Sequence, residues 1–377
     1  MNREAPLRVV QVMGNMNGGG VEQVVMNYYR NVDRSRVQFD FLVTDSSTLV
    51  PCVEMEALGG RVFTVPAYGH VRHFCDTCYD LFRSHPEWQI VHAHMNALNV
   101  FPLSAAAHSR IPVRISHSHS TAGKGETVKN VVKALLKTQA NRYPTHRFAC
   151  SRFAGEWLFG KSVPFEVMYN AIDLDKFFFS AEGRVQARAD LGLVGGQVAI
   201  GHVGRFMTQK NHGFLIDAFA RACQKRDDLV LLCVGSGEAM IHMKNSVAER
   251  GLANKVRLLG QRDDVDRLYQ AFDAFVLPSL YEGLGLVGVE AQAAGLPCFL
   301  SDTITREVNV TRACRFLPIN DPQVWAEAFC SLEPKTIKQR AEIDHERFAD
   351  YDIMRQGKWL TEAYIKLSGE CERGSRC

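Results

Sequence analysis

Apolar and polar positions along the chain follow a repeated pattern, in which a short apolar run is followed by a turn and then by an amphipathic stretch. This pattern predicts strands that alternate with helices, and such an order favours parallel strands joined by right-handed crossovers. The predicted strands of the first series are LRVVQVM (7–13), FDFLV (39–43), RVFTV (61–65), QIVHAH (89–94) and VRISHSHS (113–120).

A second series of the same kind follows in the second half of the chain. Its predicted strands are VAIGHVGRF (198–206), LVLLCVGSG (229–237), VRLLG (256–260), AFVLPSL (274–280) and PCFLSD (297–302). The segment between the series, FEVMYNAIDLDKFFFS (165–180), contains a short strand and acidic turn residues and is predicted to be the linker. We therefore expect two α/β domains, 1–170 and 171–355, and a helical C-terminal segment, 356–377.

Composition and charge narrow the class of protein. A net charge of +3 over 377 residues gives no general argument for nucleic-acid binding. The eleven cysteines lie mostly in apolar runs and are expected to be reduced core residues, and the single C-x-x-C pair, Cys75 and Cys78, is a weak metal or redox signal. The chain shows no signal peptide and no run of eighteen apolar residues, so a cytoplasmic location is expected.

The stretch YEGLGLVGVEAQAAGLP (281–297) places two acids and several glycines where a strand gives way to a helix. Glu282 is expected in the loop and Glu290 in the second helical turn, at the carboxyl end of a strand, where ligands bind in open α/β sheets. Backbone N–H groups of the glycine-rich segment from Gly283 can bind phosphate, and the two carboxylates can accept hydrogen bonds from sugar hydroxyls. A ligand that carries both phosphates and hydroxyls explains this combination.

Two other segments are candidates for anion binding. Gly18, Gly19 and Gly20 follow the first strand and precede a helix, so they indicate either a phosphate contact or only a tight turn. Arg205 and Lys210 lie in the loop after the strand at 198–206, and a guanidinium with an ammonium suits a diphosphate. Solvated surface charge is the alternative for either residue alone.

Histidines occur in pairs at two strand ends of the first series. His92 and His94 alternate, as do His117 and His119, so each pair lies on one strand face. A metal site, a polar wall with a histidine that contacts sugar or activates the acceptor, and plain packing all remain open. The two D-x-D strings, at 173–175 and 264–266, are interpreted as linker and helix-cap residues rather than metal ligands.

One further segment, KGETVKNVVKALLKTQANRYPTHR, predicts an amphipathic basic helix. Its apolar stripe and its lysine face are expected to run from Val128 to Lys137, with the positions Val128, Lys129, Val132, Lys133, Leu135, Leu136 and Lys137. Peripheral contact with an anionic membrane and a core helix with a solvated lysine face both explain this pattern.

Several motifs together resemble a known enzyme family. They are GRFMTQKNHGFLIDAF, LLCVGSGE, VRLLGQRDDVDRLYQAFDAFVLPSLYEGLGLVGVEAQAAGLP and YNAIDLDKF, with NGGGVEQVV, IVHAH, RISHSHS and FACSRFAGEWLFG in the first half. The chain resembles the retaining family 4 glycosyltransferases, especially those of bacterial exopolysaccharide and capsule clusters. The resemblance implies the GT-B fold: two Rossmann-like lobes with parallel sheets that face a cleft, and a C-terminal helix that crosses back to the first lobe.

The resemblance also implies roles for particular residues. Glu282 corresponds to the carboxylate that contacts the donor sugar and Glu290 to the one that binds the ribose hydroxyls. The cleft histidine falls on His119, with His117 as the alternative. The implied catalytic residues are Glu282, His119, Arg205 and Lys210. The expected donor-binding residues are Gly19, Gly20, Arg205, Lys210, Gly283, Gly285, Leu286, Val287 and Glu290.

The activity implied by the resemblance is hexosyl transfer. A hexose or hexosamine would pass from a nucleoside diphosphate sugar, by default a UDP-sugar, to a saccharide or lipid-linked acceptor with retention of configuration. Neither a metal ion nor a further cofactor is expected. A sugar-nucleotide epimerase of the same two-lobe fold, or a non-catalytic subunit that binds sugar nucleotides, are the alternatives.

Overall fold

The computed structural model describes residues 5–119 and 134–374 and shows two α/β units. The first unit consists of Met1–Ile172 and Asp350–Cys377, and the second of Asp173–Ala349. The sequence placed the corresponding boundaries after residues 170 and 355. Each unit is built around its own parallel sheet.

The first unit contains a seven-stranded sheet in which every pair of neighbouring strands is parallel. Its strand order is β3-β2-β1-β4-β5-β6-β7. The strands are β1 (Leu7–Gly14), β2 (Val37–Thr44), β3 (Arg61–Val65), β4 (Trp88–Ala93), β5 (Val113–Ser118), β6 (His146–Ala149) and β7 (Glu166–Val167). The five strands predicted for this half are confirmed, while β6 was not among them.

Helices connect these strands, and the strand order is that of a doubly wound fold. They are α1 (Gly20–Asn31), α2 (Cys52–Ala57), α3 (Val71–Ser84), α4 (Val100–His108) and α5 (Arg152–Phe159), with a 3₁₀ turn at Asn96–Asn99. Helix α3 buries Phe74, Cys78 and Phe82 at helical spacing against the sheet.

The second unit repeats the plan with a six-stranded sheet of order β10-β9-β8-β11-β12-β13. The strands are β8 (Val198–Val203), β9 (Leu229–Val234), β10 (Val256–Gly260), β11 (Ala274–Leu277), β12 (Cys298–Ser301) and β13 (Arg315–Leu317). All five predicted strands are confirmed. Residues of β8, β9, β11 and β12 are buried along their whole length, which explains why they appear in the sequence as continuous apolar runs.

The helices of the second unit are α6 (Leu174–Phe177), α7 (Ala181–Asp190), α8 (His212–Cys223), α9 (Met240–Glu249), α10 (Val265–Ala271), α11 (Leu286–Ala293), α12 (Pro322–Cys330) and α13 (Ile337–Ala341). Two 3₁₀ turns lie at Thr208–Lys210 and Arg306–Val308, and a third, His345–Tyr351, spans the boundary at which the chain returns to the first unit. Helix α8 packs its face with Leu215, Ile216 and Phe219 into the core of this unit, next to Trp325 of α12.

The C-terminal helix α14 (Ile353–Gly374) packs in the first unit, as the resemblance implied. Tyr364 is fully buried there, and the Asp33 N–H donates to Thr361 Oγ1 at 3.1 Å. In both sheets the chain reverses its direction of winding between two central strands, β1 and β4 in the first and β8 and β11 in the second. The loops after these strands form the positions where open α/β sheets bind ligands.

Candidate active site

Two loops meet at the carboxyl edge of the second sheet, where β8 and β11 are neighbours. The loop after β8 carries Arg205 and Lys210, and the loop after β11 carries Glu282. The Leu280 N–H donates to the Gln209 carbonyl at 2.8 Å and thereby joins the two loops. Lys210 and Glu282 are therefore held side by side, although they lie more than seventy positions apart in the sequence.

An ion pair connects the two loops at their centre. Lys210 Nζ donates to Glu282 Oε1 at 2.7 Å, and Gln209 Nε2 donates to Glu282 Oε2 at 3.2 Å. The side chains of Lys210 and Glu282 are only 13% and 10% exposed. Because desolvation of two charges is costly, such a pair depends on good geometry and on further hydrogen bonds, which Gln209 supplies. The two residues that were expected to contact diphosphate and sugar thus form one charged unit.

Arg205 differs from Lys210 in being exposed. Among the described residues its guanidinium has no hydrogen bond or ion pair. The backbone around it is held tightly, because the Phe206 N–H donates to the Ser236 carbonyl at 2.8 Å. At Gly235, which has a φ of +136°, an added Cβ would lie 2.1 Å from the Gly204 carbonyl oxygen. Because the backbone is held in place and the side chain is exposed, the Arg205 guanidinium is available to bind an anion.

The N-terminus of α11 faces the same loops and lacks a side-chain cap. Gly285 occupies the cap position in a left-handed conformation with φ +87°, and a Cβ there would lie 3.3 Å from Leu277 Cδ2. Gly283 is buried two positions earlier, and Leu286 and Val287 contribute the first N–H groups of the helix. First-turn N–H groups have no partner within their helix and favour an anion, so this terminus suits a phosphate group.

Glu290 lies in the second turn of α11 and is bonded to a tyrosine that the sequence analysis did not single out. The Tyr269 hydroxyl lies 2.8 Å from Glu290 Oε2 and 3.1 Å from the Val287 carbonyl oxygen. Burial raises the pKa of Glu290 to about 7, although the hydrogen bond from Tyr269 and the charge of Lys210 act in the opposite direction. The carboxyl group therefore titrates near neutral pH and has one oxygen, Oε1, without a hydrogen bond among the described residues.

Tyr269 and Gln209 were missed because periodicity does not show which helices and loops touch. Tyr269 lies on α10, and its contact with Glu290 depends on the packing of α10 beside α11. The sequence did contain a signal. When one helix carries a tyrosine and the next helix carries a lone glutamate, the two are candidates for a hydrogen bond, since buried phenols are usually bonded.

In the first unit the N–H groups of the glycine-rich loop bind a carboxylate of the protein itself, which was not expected from the sequence. The carboxylate of Glu22 accepts hydrogen bonds from the N–H groups of Asn17, Gly18 and Gly19 at 2.8, 2.6 and 2.8 Å. In this structure the Gly19 N–H is therefore satisfied by the side chain of Glu22, in the first turn of α1, and Gly20 is the first residue of that helix. A phosphate contact at Gly19 and Gly20 stays a prediction, and it would require Glu22 to move away.

The four histidines at the strand ends lie together on one face of the first sheet, and all are buried. His92 Nε2 lies 3.1 Å from His117 Nδ1, and His94 Nδ1 lies 2.8 Å from His119 Nε2. The common face expected from alternation is confirmed. Ligand atoms of His92, His94 and His117 lie within 4.8 Å of one another, which makes them the group of the described residues whose spacing could hold a metal ion.

Hydrogen bonds among these rings provide an alternative to a metal. Four of the ring nitrogens of His92, His94, His117 and His119 point at one another in pairs, at distances typical of N–H···N bonds. The acids of the two D-x-D strings have ordinary partners, as expected for residues that are not metal ligands: Asp264 is paired with Arg262 at 2.6 Å, and Asp173 with Lys176 at 3.1 Å.

The remaining sequence motifs lie elsewhere. Cys75 and Cys78 are one turn apart on α3, and both are free thiols. Of the predicted basic helix, residues 128–133 lie outside the described residues. Leu135 is exposed, and Lys137 Nζ lies 5.2 Å from the centre of the Trp157 ring. No helix in the described ranges is long and apolar enough to cross a membrane.

Comparison with known proteins assigns the chain to a family. The family model of the glycosyl transferases group 1 matches residues 197–333, and that of the glycosyl transferase 4-like domain matches residues 19–170. A Bacillus subtilis (strain 168) protein named as the glycosyltransferase EpsF is 36% identical over 335 residues, which cover 85% of this chain and 86% of the relative. The chain belongs to the glycosyl transferases group 1, and it is a glycosyltransferase.

A more distant relative agrees with this assignment, and a solved structure agrees with the fold. An Escherichia coli UDP-Gal:alpha-D-GlcNAc-diphosphoundecaprenol alpha-1,3-galactosyltransferase is 31% identical over 227 residues, which cover 57% of this chain and 58% of the relative. The structure of Anabaena Alr3699/HepE in complex with UDP and glucose is similar with a TM-score of 0.78 at 18% identity and covers 96% of this chain and 100% of its own. The fold is therefore the GT-B fold.

Proposed function

We propose that this glycosyltransferase transfers a hexose or hexosamine from a UDP-sugar to a saccharide or lipid-linked saccharide, with retention of configuration, in cell-surface polysaccharide biosynthesis. The observation that carries the proposal is the grouping at one sheet edge of Arg205, Lys210 and the uncapped N-terminus of α11 with Glu282 and Glu290. Anion-binding and hydroxyl-binding groups side by side match a sugar nucleotide. The names of the Escherichia coli relative and of the Anabaena complex support UDP as the nucleotide.

The cationic groups would act on the leaving diphosphate. Negative charge develops on the diphosphate as the bond to the anomeric carbon breaks, and donors already aimed at that charge lower the barrier. Arg205 offers a planar guanidinium that has no partner among the described residues. The Lys210 ammonium keeps two further N–H groups beyond its bond to Glu282. Since these groups and the N–H groups of Leu286 and Val287 supply the stabilisation, the proposed reaction needs no divalent metal.

The carboxylates would hold hydroxyl groups. Glu290 Oε2 is bonded to Tyr269, which leaves Oε1 for the ribose hydroxyls, and Glu282 would contact the transferred sugar. For retention we propose a front-side path. In this path the acceptor oxygen bonds to the anomeric carbon while the bond to the diphosphate breaks, and the departing phosphate takes the proton of the acceptor hydroxyl. His119, or His117 as the alternative, would contact the sugar from the first unit.

A single incubation series tests this function against its alternatives. The protein is incubated with UDP-, GDP- and ADP-sugars, with and without an extract of saccharide and lipid-linked acceptors, and with EDTA in a parallel set. We expect free UDP only when acceptor is present, equal rates in EDTA, and a product whose anomeric configuration by NMR equals that of the donor. A new sugar nucleotide formed without acceptor would indicate an epimerase, and binding without turnover would indicate a non-catalytic subunit.

We further propose that the enzyme acts at the inner face of the cytoplasmic membrane. A lipid-linked acceptor would be anchored there, and the basic segment Val128–Lys137 would provide reversible contact with anionic lipid. The sequence pattern of valines, leucines and lysines in that segment supports the proposal.

A further inference from the structure

The first of two hydrogen-bonded branches runs from Gln11 of β1 to His117. Gln11 Nε2 lies 3.2 Å from the Tyr364 hydroxyl, which lies 2.7 Å from His92 Nδ1. An amide nitrogen only donates, so the Tyr364 oxygen accepts from Gln11 and its proton goes to His92 Nδ1. A neutral His92 then carries its proton on Nε2 and donates to His117 Nδ1 at 3.1 Å. His117 must in turn carry its own proton on Nε2.

The second branch runs from the same amide to His119. Gln11 Oε1 lies 2.8 Å from His94 Nε2, and His94 Nδ1 lies 2.8 Å from His119 Nε2. A carbonyl oxygen only accepts, so His94 carries its proton on Nε2 and accepts at Nδ1 from His119. The proton of His119 is therefore on Nε2, and its Nδ1 is left as a lone pair.

Both branches end at a buried ring nitrogen that has no hydrogen-bond partner among the described residues. His117 Nε2 and His119 Nδ1 lack a hydrogen bond within the described residues, and the two rings stack with centroids 3.8 Å apart. From the proton positions along the two branches it follows that His117 Nε2 is a donor and His119 Nδ1 an acceptor. Rotation of the Gln11 amide by half a turn would invert both branches at once, so the two ends keep opposite polarity in either orientation.

The argument requires neutral rings, and the environment provides them. Burial lowers the pKa of His92, His94 and His117 well below the ordinary value and lowers the pKa of His119 to about 3. Each ring therefore has one proton and one lone pair at physiological pH, and no ring donates from both nitrogens.

We propose that Gln11 and Tyr364 are positioning residues that give His117 and His119 opposite hydrogen-bonding polarity, so that the stacked pair binds two adjacent hydroxyl groups of a saccharide. Adjacent hydroxyls can donate to one nitrogen and accept from the other, whereas a phosphate has only acceptors and an ammonium only donors. Unpartnered buried nitrogens are costly, and a ligand of matching polarity removes that cost. The saccharide assignment rests on the proposed function, while the polarity assignment does not.

The tautomers can be observed directly in the protein labelled with ¹⁵N-histidine. Two-dimensional ¹H–¹⁵N correlation of the imidazole rings at pH 7.5 distinguishes rings protonated at Nε2, rings protonated at Nδ1 and imidazolium. With Gln11 oriented as in the structure, we expect His92, His94, His117 and His119 all in the Nε2–H form. Four rings in the Nδ1–H form would reverse the orientation of Gln11 but keep the opposite polarity, whereas mixed tautomers among the four rings would overturn the proposal.

Two variants test whether Gln11 and Tyr364 set the polarity. In Gln11→Glu the side chain only accepts, so the Tyr364 proton turns toward it, His92 and His117 change to the Nδ1–H form, and His94 and His119 stay unchanged. In Tyr364→Phe, which adds no charge, we expect mixed tautomers at His92 and His117 alone. If His117 keeps a single Nε2–H form in Tyr364→Phe, or if neither variant alters it, the positioning role is wrong.

The ligand is tested with a mixture of glucose, galactose, mannose and N-acetylglucosamine, and separately with inorganic phosphate. We expect the sugar mixture to shift the ¹⁵N signals of His117 and His119, and phosphate to leave them in place. In both variants the KM for saccharide should rise about tenfold, which corresponds to roughly one hydrogen bond, with a smaller effect on kcat. A phosphate shift without a sugar shift would overturn the ligand assignment. Failure of the transferase assay alone would leave the tautomer result intact and would count against the proposed function only.

Discussion

Lys210 Nζ lies 2.7 Å from Glu282 Oε1, and both side chains are largely buried at the carboxyl edge of the second sheet. This ion pair therefore holds the loops after β8 and β11 together, in addition to the backbone hydrogen bond between Leu280 and Gln209. A donor diphosphate would be met by an ammonium whose position is already fixed, so that less reorganisation is needed on binding.

Removal of the lysine alone should destabilise the protein. In Lys210→Met the Glu282 carboxylate remains buried without its cation, and breaking a buried pair in this way costs about 3 kcal/mol. Urea unfolding measures the loss. The double variant Lys210→Met/Glu282→Gln removes both charges and should recover a large part of it. Equal stability of the single variant and the wild type would show that the ion pair does not contribute to the free energy of unfolding.

Arg205 should affect turnover more than folding, because its side chain is exposed and unpartnered among the described residues. We expect Arg205→Ala to lower kcat by about 10²-fold, the magnitude typical of losing one donor to a developing anion, with unfolding unchanged. The matched control is Arg221→Ala, an exposed arginine on α8. A variant that loses neither turnover nor donor affinity would exclude Arg205 from the diphosphate site.

Glu290 should make stability depend on pH near neutrality. Its pKa is raised from 4.5 to about 7 in the folded protein, so the folded state holds the proton more tightly than the unfolded state. The contribution is fully present below about pH 4.5 and is lost as the pH rises toward 7. The wild type should therefore lose stability relative to Glu290→Gln across that window in urea titrations. The loss should be larger in Tyr269→Phe, which lacks the bond to the ionised form, and a constant difference between wild type and Glu290→Gln would contradict the assignment.

Membrane contact through Val128–Lys137 should be salt-sensitive. Each lysine near an anionic surface contributes about 1 kcal/mol, so Lys129, Lys133 and Lys137 together give roughly 3 kcal/mol before screening. Co-sedimentation with liposomes of increasing anionic content compares the wild type with a variant that has these three lysines changed to glutamine. If the wild type does not bind anionic lipid at low salt, or the variant binds equally well, the proposed membrane contact is wrong.

The fold, and the position of the candidate residues at one sheet edge, could be predicted from the sequence because both depend on local patterns. Buried parallel strands appear as apolar runs, and their order places Arg205, Lys210 and Glu282 at one edge. Contacts between helices are not encoded in this way, so the bond from Tyr269 to Glu290 was missed.

Long-range polar contacts were the least predictable feature. In the sequence Gln11 is an ordinary polar position in an apolar strand. Tyr364, to which it is hydrogen-bonded, lies 353 positions further along the chain. Neither the strand pattern nor the helical period of α14 indicates which polar side chains meet inside the first unit. Glu22 shows a different reason for a miss. A carboxylate three residues after a glycine cap can accept hydrogen bonds from the N–H groups that precede the helix, and these groups are then not free for a phosphate.

The most direct test of the central claim is a crystal structure of the protein with UDP-glucose bound. We expect the diphosphate within hydrogen-bonding distance of Arg205, Lys210 and the N–H groups of Leu286 and Val287, with the ribose hydroxyls on Glu290. A nucleotide bound anywhere else, with the Lys210–Glu282 edge unoccupied, would contradict the claim that this edge is the donor site.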